Sequence, residues 1–453
     1  MSQKRAEERP MQIENTKNSP TKNLSENNLK TAVSPKSFET RTGTKTPTNL
    51  KSIPNKPKTP IPGAVLDACK KLKNEGTKTW LAGGCVRDMI LGVKPRDWDI
   101  VTDASLETIC KVFPKHLDVG VNFGIVKLIP GKSESDPQID IAIFRKESGY
   151  SDLRHPDKID IGDELTDSAR RDFTVNALYF DPFASVIYDY VDGYRDIGLK
   201  ILRTVGDPQE RFQEDALRIL RAARFSAQLG FKIDPATMTA MKKYSKLLSA
   251  ISRERVREET FRLLNSPRPV VGLESLAKNA LWEQVFDVKR ISIPADFRSL
   301  KFIEKPNALA WLCALGVTGL LGDPTKEPEK ILSRMTQSMK FSNDEKKIFS
   351  KMILIFEESV KQRSYPLEWI EVASCEKSVV ELCKRFIRRA RGVTIEEKER
   401  AIKLIELSQR WAMKKNFVGN FPNAQELIKE GFKEGPKLGA ELKSRQWATF
   451  WKG

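Results

Sequence analysis

The chain has 453 residues, of which 40% are hydrophobic and 30% charged, and a formal net charge of +18. That length allows roughly two to four domains with substantial cores, and the absence of any apolar run of about eighteen residues argues against a transmembrane helix. The positive excess fits a polyanionic partner (RNA, DNA or an anionic membrane surface) or simply a solvated basic surface.

Cys69, Cys85, Cys110, Cys313, Cys375 and Cys383 form no C-x-x-C pair. Reduced thiols in a cytoplasmic protein fit this pattern better than a disulfide frame or a zinc site. The only histidines are His116 and His155, which leaves little room for His-rich metal chemistry. The first thirty residues lack an apolar h-region, so no secretory signal is expected.

Residues 1–60 carry 12 Lys or Arg against 5 Glu, a net +7, with few large apolar residues. Such a segment cannot bury enough surface to offset its ordering entropy, and it reads as a disordered basic tail. It would either solubilise the chain or add nonspecific nucleic-acid affinity.

From 61 to 197 the pattern predicts an α/β sheet with helical cover. Val65 to Leu72 is an amphipathic helix, Thr79 to Ala82 a strand, Val86 to Leu91 a helix and Trp98 to Val101 a strand. Leu106 to Phe113 is helical; Gly124 to Ile129, Gln138 to Phe144 and Val186 to Tyr190 are strands. Beyond 198 the composition predicts helices almost throughout: a segment 198–270, then 271–453.

The stretch "LAGGCVRDMILGVKPRDWDIVTDA" (Leu81 to Ala104) concentrates the chemistry. Gly83 and Gly84 follow a strand and open a helix. They form either a phosphate-cradling turn or a plain tight one. Arg87 falls in that helix's first turn, within reach of a phosphate, and Asp88 reads as a brace. Asp97 and Asp99 are two apart in a strand, so their carboxylates share a face. Like charges that close persist when a cation sits between them or one is protonated. With the glycine turn upstream, the pair suggests a two-metal phosphoryl-transfer centre. Asp140, an acid among the apolar residues of Gln138 to Phe144, is either a third metal ligand or a satisfied structural acid.

These segments resemble class II tRNA nucleotidyltransferases (CCA-adding enzymes) and bacterial poly(A) polymerases. "GGCVRD…LGVKPRDWDIVT" is similar to their first motif and "RRDFTVNALYFDP" (Arg170 to Pro182) to the second. "DYVDGYRDI" (Asp189 to Ile197) resembles the segment linking head and neck, "RFQEDALRILRAARFSAQLGF" (Arg211 to Phe231) the nucleotide-selecting motif, and "ISRERVREE" (Ile251 to Glu259) the last. All five follow the family order between Thr79 and Asn265.

The resemblance implies a polymerase-β-like nucleotidyltransferase head with a mixed sheet, followed by an all-α neck, body and tail. It implies that Gly83, Gly84 and Arg87 hold the triphosphate, and Asp97 and Asp99 two Mg2+ ions. Arg171, Asp172 and Asn176 would contact ribose and phosphate. Asp215 and Arg218 would read the incoming base, with Glu214 and Arg221 holding them. Read as one helix at about 100° per residue, Arg211, Glu214, Asp215, Arg218 and Arg221 form a polar stripe opposite Leu217, Ile219, Leu220 and Ala223. That stripe is also what a solvated salt-bridge face would look like.

Between these motifs, Tyr150, Asp152, Arg154 and Pro156 resemble the flexible loop of enzymes that add the whole CCA from CTP and ATP. An ordinary polar connection is the alternative. "RFIRRARG" places Arg385, Arg388, Arg389 and Arg391 on a basic segment suited to phosphates, expected to meet the acceptor stem and elbow of tRNA near its 3′ end; a solvated helix is the other reading. "ELIKEGFKEGPKLGAEL" (Glu426 to Leu442) resembles the family's tail. The resemblance implies CCA addition in the cytoplasm, away from membranes. A-adding and poly(A)-adding activities are the enzymatic alternatives, and an RNA-binding module on a decayed transferase scaffold is the non-enzymatic one.

Overall fold

The computed structural model describes residues 48–50, 59–117, 124–128, 137–150, 156–289 and most of 308–350, with shorter pieces between 353 and 445. An eight-stranded mixed sheet dominates the first half. Its elements in chain order are β1 (Thr48–Leu50), α1 (Gly63–Asn74), β2 (Thr79–Ala82), α2 (Gly84–Leu91), β3 (Asp97–Thr102), α3 (Leu106–Val112), β4 (His116–Leu117), β5 (Ile125–Leu128) and β6 (Gln138–Ile143). There follow β7 (Arg145–Ser148), β8 (Lys158–Ile161), α4 (Glu164–Ala169), β9 (Leu178–Asp181), β10 (Val186–Asp189) and α5 (Gly193–Leu199). The strand order is β1-β10-β9-β2-β3-β6-β5-β4, and β7 and β8 form a separate hairpin. Among the described strands of the large sheet, only β3 and β6 run parallel.

The alternation of side chains divides the sheet's two faces by task. Leu81, Trp98, Ile100, Ile139, Ile141, Leu178, Phe180 and Ile187 pack with Val65, Cys69 and Leu72 of α1, Val86 and Met89 of α2, and Ile109 of α3 in the main core. Each such buried aliphatic or aromatic side chain contributes about 1.5–3 kcal/mol. The opposite face holds a small aromatic core of Trp80, Val101, Phe144 and Tyr179, flanked by Tyr188 and Tyr190. Trp80 stacks on Tyr188 with centroids 4.3 Å apart and meets Phe144 edge-on at 5.9 Å. Asp97 and Asp99 lie in the same two-residue period as Val101, hence on this second face.

The expected strands and helices up to 143 are present. The hairpin β7–β8 and the strand β9 were not predicted. β1 also falls inside the segment read as a disordered tail: Thr48 to Leu50 pairs antiparallel with Asp189 to Ile187. Main-chain pairing at a sheet edge needs no apolar side chain, so composition does not reveal it.

The helical part begins with α6 (Pro208–Glu214) and α7 (Leu217–Leu229), and continues with α8 (Pro235–Tyr244), α9 (Arg253–Leu264), α10 (Pro269–Lys278), α11 (Trp282–Phe286), α12 (Ala308–Val317) and α13 (Pro328–Met339). A two-residue parallel ladder joins β11 (Ile201–Leu202) to β12 (Lys232–Ile233), a small exception to the all-helical expectation. Helix α9 closes other helices' ends. Arg253 donates to the carbonyls of Gln284 at 2.8 Å, Val285 at 2.5 Å and Ser338 at 3.1 Å. Arg257 donates to the Met339 carbonyl at 2.6 Å and pairs with Glu345 at 2.7 Å. These guanidinium groups satisfy carbonyls that a helix C-terminus leaves without partners.

Candidate active site

The turn between β2 and α2 organises the site. Gly83 has φ = +74°, a conformation that side chains with a Cβ rarely adopt, and its N–H donates to the Leu178 carbonyl at 2.9 Å. A Cβ there would lie 2.9 Å from Arg171 Nη1 and 3.6 Å from Asp99 Oδ2. The glycine therefore leaves room for a guanidinium and a carboxylate both to border the turn. Gly84 begins α2.

Asp97 is exposed and Asp99 partly buried, with Trp98 buried between them on the other face. Across the parallel pair β3–β6, Asp99 stands in register with Asp140. Lys127 Nζ lies 3.5 Å from Asp140 Oδ2, while Asp140 Oδ1 is buried with no hydrogen-bond partner. Burial pushes the Asp99 carboxyl up to about 6; Arg171 pulls it down, and the charges of Asp140 and Asp97 push it further up. Among the described residues, no group of three or more His, Cys, Asp or Glu side chains converges closely enough to hold a metal ion. Mg2+ is commonly held by one or two carboxylates plus substrate phosphates. The hard oxygen donors of Asp97 and Asp99, with the orphaned Asp140 oxygen alongside, fit that mode.

A chain of ionic hydrogen bonds runs from this turn to the helical segment. Arg87 is buried, not free in solvent. Its Nε donates to Asp88 at 2.8 Å, the brace expected, and its Nη1 to Asn176 Oδ1. Asn176 Nδ2 donates to Asp172 at 3.1 Å. Arg221 donates to the other Asp172 oxygen at 2.9 and 2.5 Å. Burial alone would raise the Asp172 carboxyl, but Arg221 and Asn176 outweigh it and bring it down to about 2. Arg221 also faces Glu259 at 3.7 Å, and Arg224 donates to Glu259 at 2.5 Å. Arg87, Arg221 and Arg224 all lie over the ring of Phe225.

Arg171 is fixed separately. It donates to Asp167 at 3.1 and 2.9 Å, to the Tyr179 hydroxyl at 3.3 Å and to the Asn176 carbonyl at 3.2 Å. Asp167 is fully buried. Burial works to raise its carboxyl, yet Arg171, Arg170 and the Tyr179 hydroxyl hold it well below the usual carboxylate range.

The residues expected to select the base do not lie on one continuous helix. Asp215 separates α6 from α7 in extended backbone, with φ −139° and ψ 103°. Its carboxylate accepts from Leu217 N at 3.1 Å, a local bond with which Asp competes against helix continuation. The single-helix stripe is therefore corrected. Glu214 does hold Arg218, at 2.5 Å, as expected. Arg218 also donates to the carbonyls of Arg211 at 3.2 Å and Arg170 at 3.0 Å. Arg221 is directed to Asp172 and Glu259, while Asp215 pairs with Arg255 at 3.2 Å.

Arg255, Glu259, Asp167 and Tyr179 were missed from sequence. Arg255 and Glu259 lie within the motif Ile251 to Glu259, and Asp167 stands four residues before Arg171, a helical pairing distance. At the loop, the Tyr150 hydroxyl donates to Glu147 at 2.6 Å; Asp152 and Arg154 lie outside the described residues. Of the basic segment, Arg388 is exposed, whereas Arg385, Arg389 and Arg391 lie outside the described residues. No described helix is long and apolar enough to cross a membrane.

Residues 79–203 match the family model described as "Poly A polymerase head domain", and residues 230–289 the one described as "Probable RNA and SrmB- binding site of polymerase A". A CCA-adding enzyme of Lactococcus lactis subsp. cremoris (strain MG1363) is 40% identical over 249 residues, 54% of this chain. The match spans 61% of that relative's length. A CCA-adding enzyme of Ligilactobacillus salivarius (strain UCC118) is 35% identical over 298 residues, 65% of this chain and 70% of the relative. The crystal structure of the Bacillus stearothermophilus CCA-adding enzyme in complex with CTP superposes with a TM-score of 0.64 at 25% identity, covering 85% of this chain and 92% of that one. With that fold, those relatives and the motifs gathered around the Gly83 turn, the chain belongs to the family of class II tRNA nucleotidyltransferases (CCA-adding enzymes) and bacterial poly(A) polymerases.

Proposed function

We propose that this chain adds CCA to the 3′ end of tRNA from CTP and ATP without a nucleic-acid template. The observation that carries the reading is that Arg171 and Asp99 both border the Gly83 turn, while Asn176, Asp172 and Arg221 link that turn to helix α7. In this reading Gly83, Gly84 and Arg171 receive the triphosphate, with Arg87 fixing Asn176 behind it. Asp97 and Asp99 would hold two Mg2+ ions, with Asp140 beside them. When bound, the metal supplies charge neutralisation for the transferred phosphoryl group and lowers the pKa of the attacking 3′-hydroxyl. The protein's own share is orientation: a fixed Arg171, a fixed Asp172 against the ribose, and the edge of Asp215 and Arg218 offered to the base.

The relatives named CCA-adding enzymes favour CCA addition over polyadenylation. Tyr150, Asp152 and Arg154 would serve the passage from C to A, and Arg385, Arg388, Arg389 and Arg391 the tRNA acceptor stem and elbow. The test is incorporation of each of the four NTPs into tRNA ending in N, NC and NCC. CTP on the first two and ATP on the third is the expected result. ATP alone on the third makes the chain an A-adding enzyme. Long A tails on arbitrary RNA make it a poly(A) polymerase, and no incorporation with retained RNA binding leaves a decayed scaffold.

A further inference from the structure

We infer that Glu147 is a positioning residue that couples the β7–β8 hairpin to both arms of the nucleotide site. The inference rests on the reading of Arg171 and Arg218 as nucleotide-facing. The Glu147 side chain is 9% exposed, and both its oxygens are engaged. Oε2 accepts from the Tyr150 hydroxyl at 2.6 Å, and Oε1 from Arg170 Nη1 at 3.0 Å. Arg145 Nη2 stands 3.8 Å from Oε1.

Arg170 is where the two arms divide. Its Nε and Nη2 donate to Asp167 Oδ1 at 2.8 and 2.5 Å, and the other oxygen of Asp167 holds Arg171 over the Gly83 turn. Its main-chain carbonyl accepts from Arg218 Nη2 at 3.0 Å. A shift of the Arg170 side chain would thus reach Arg171 through one carboxylate, and a shift of its backbone would reach Arg218 directly.

The hairpin itself does not require Glu147. Its ladder runs without a break from Arg145–Ile161 to Ser148–Lys158, and its mouth is closed by Asp157 N donating to the Gly149 carbonyl at 3.0 Å. Burying a carboxylate costs free energy that only well-placed donors offset. Here those donors are one hydroxyl at the loop's first residue and one guanidinium bound to the site. The geometry therefore joins what the loop does to how the nucleotide is held.

The experiment measures kcat and KM for CTP and ATP, the fraction of UTP and GTP incorporated, and the equilibrium binding of ATP and CTP. It compares the full-length wild type with Glu147→Ala, Glu147→Gln, Tyr150→Phe and the Glu147→Ala/Tyr150→Phe double variant. Glu147→Ala is expected to raise KM about tenfold and to increase UTP and GTP misincorporation, with tRNA affinity unchanged. Glu147→Gln, which keeps an acceptor but not the charge, should fall between. Tyr150→Phe should give a smaller shift in the same direction and add nothing in the Glu147→Ala background, since coupled residues are non-additive. Unchanged KM and misincorporation, or fully additive effects, overturn the proposal. Where Glu147→Ala does not fold, Glu147→Gln and Tyr150→Phe decide by the same readouts. A wild type that binds NTPs without extending tRNA would sink CCA addition, and the coupling would still be read from the binding constants.

Discussion

Asp99 lies between two acids, Asp97 along its own strand and Asp140 across the ladder, with Arg171 and Lys127 as the counter-charges that act against them. Replacing it with Ala should lower transfer by on the order of a thousandfold or more, the loss of several kcal/mol of charge stabilisation. Filter binding of tRNA should be unaffected, and an active Asp99→Ala would refute the assignment. Asp172 makes a different prediction, of stability against pH. Its folded pKa is depressed to about 2, against an ordinary value of about 3.9. Its contribution is therefore present above the ordinary value and lost as pH falls from there through about 2. Urea unfolding of the wild type should weaken across that window, and Asp172→Asn should flatten the decline. Asp99 stood out in the sequence because its D-x-D follows a glycine turn, and Asp172 only because Arg170 to Pro182 resembles a family motif. Asp167 did not, since a lone acid in a polar stretch gives no sign that Arg170, Arg171 and Tyr179 will surround it.

At the scale of elements, sequence periodicity succeeded where burial is one-sided and failed where polar groups decide the backbone. Helix α2 was read to within two residues because its apolar positions face one core, and strand β3 to within one because Trp98, Ile100 and Val101 are buried on its two faces. The hairpin of β7 and β8 went unseen: "RKES" and "KIDI" carry too little apolar alternation to announce a ladder. The polar stripe at Arg211 to Arg221 was read on the wrong backbone, because the Asp215 side chain takes the Leu217 N–H and interrupts the helix. Asp215→Ala should therefore have two effects. It removes a capping bond worth about 1 kcal/mol, visible as a lower Tm. It also frees Arg255 and relaxes the choice among NTPs more than it weakens triphosphate binding. Unaltered exclusion of UTP and GTP would place base selection elsewhere.

Across the whole molecule, buried charge ties α7 and α9 to the sheet-bearing segment through Phe225, Arg221 and Asp172. Glu259 is the acid at the far end of that chain, 4% exposed and 2.5 Å from Arg224. Burial brings the Arg224 guanidinium down to about 10 and Glu259 works against that fall, so removing the acid would leave a buried charge without its ionic partner. Glu259→Gln should destabilise the protein by about 3–5 kcal/mol, read from the urea midpoint. A loss below about 1 kcal/mol would show that Gln228, 3.0 Å from Arg224, suffices as a partner. The fold class was legible because strands alternate with helices before 198 and yield to helices after it. The links between those halves were not, because they are made by charged residues that composition assigns to the surface.

The two faces of the sheet have a consequence for how this sequence can change over time. Along β3, Trp98, Ile100 and Thr102 project to the helix-covered side, while Asp97 and Asp99 project to the other. A saturation scan of Asp97 to Ile100 should alternate with a period of two, Val101 being buried in the smaller core. Substitutions at 98 and 100 should deplete soluble protein, whereas substitutions at 97 and 99 should leave abundant protein that has lost transfer. Drift in the packing and drift in the chemistry thus draw on separate sets of positions. A lineage could remodel what it attaches to RNA without first renegotiating how it folds.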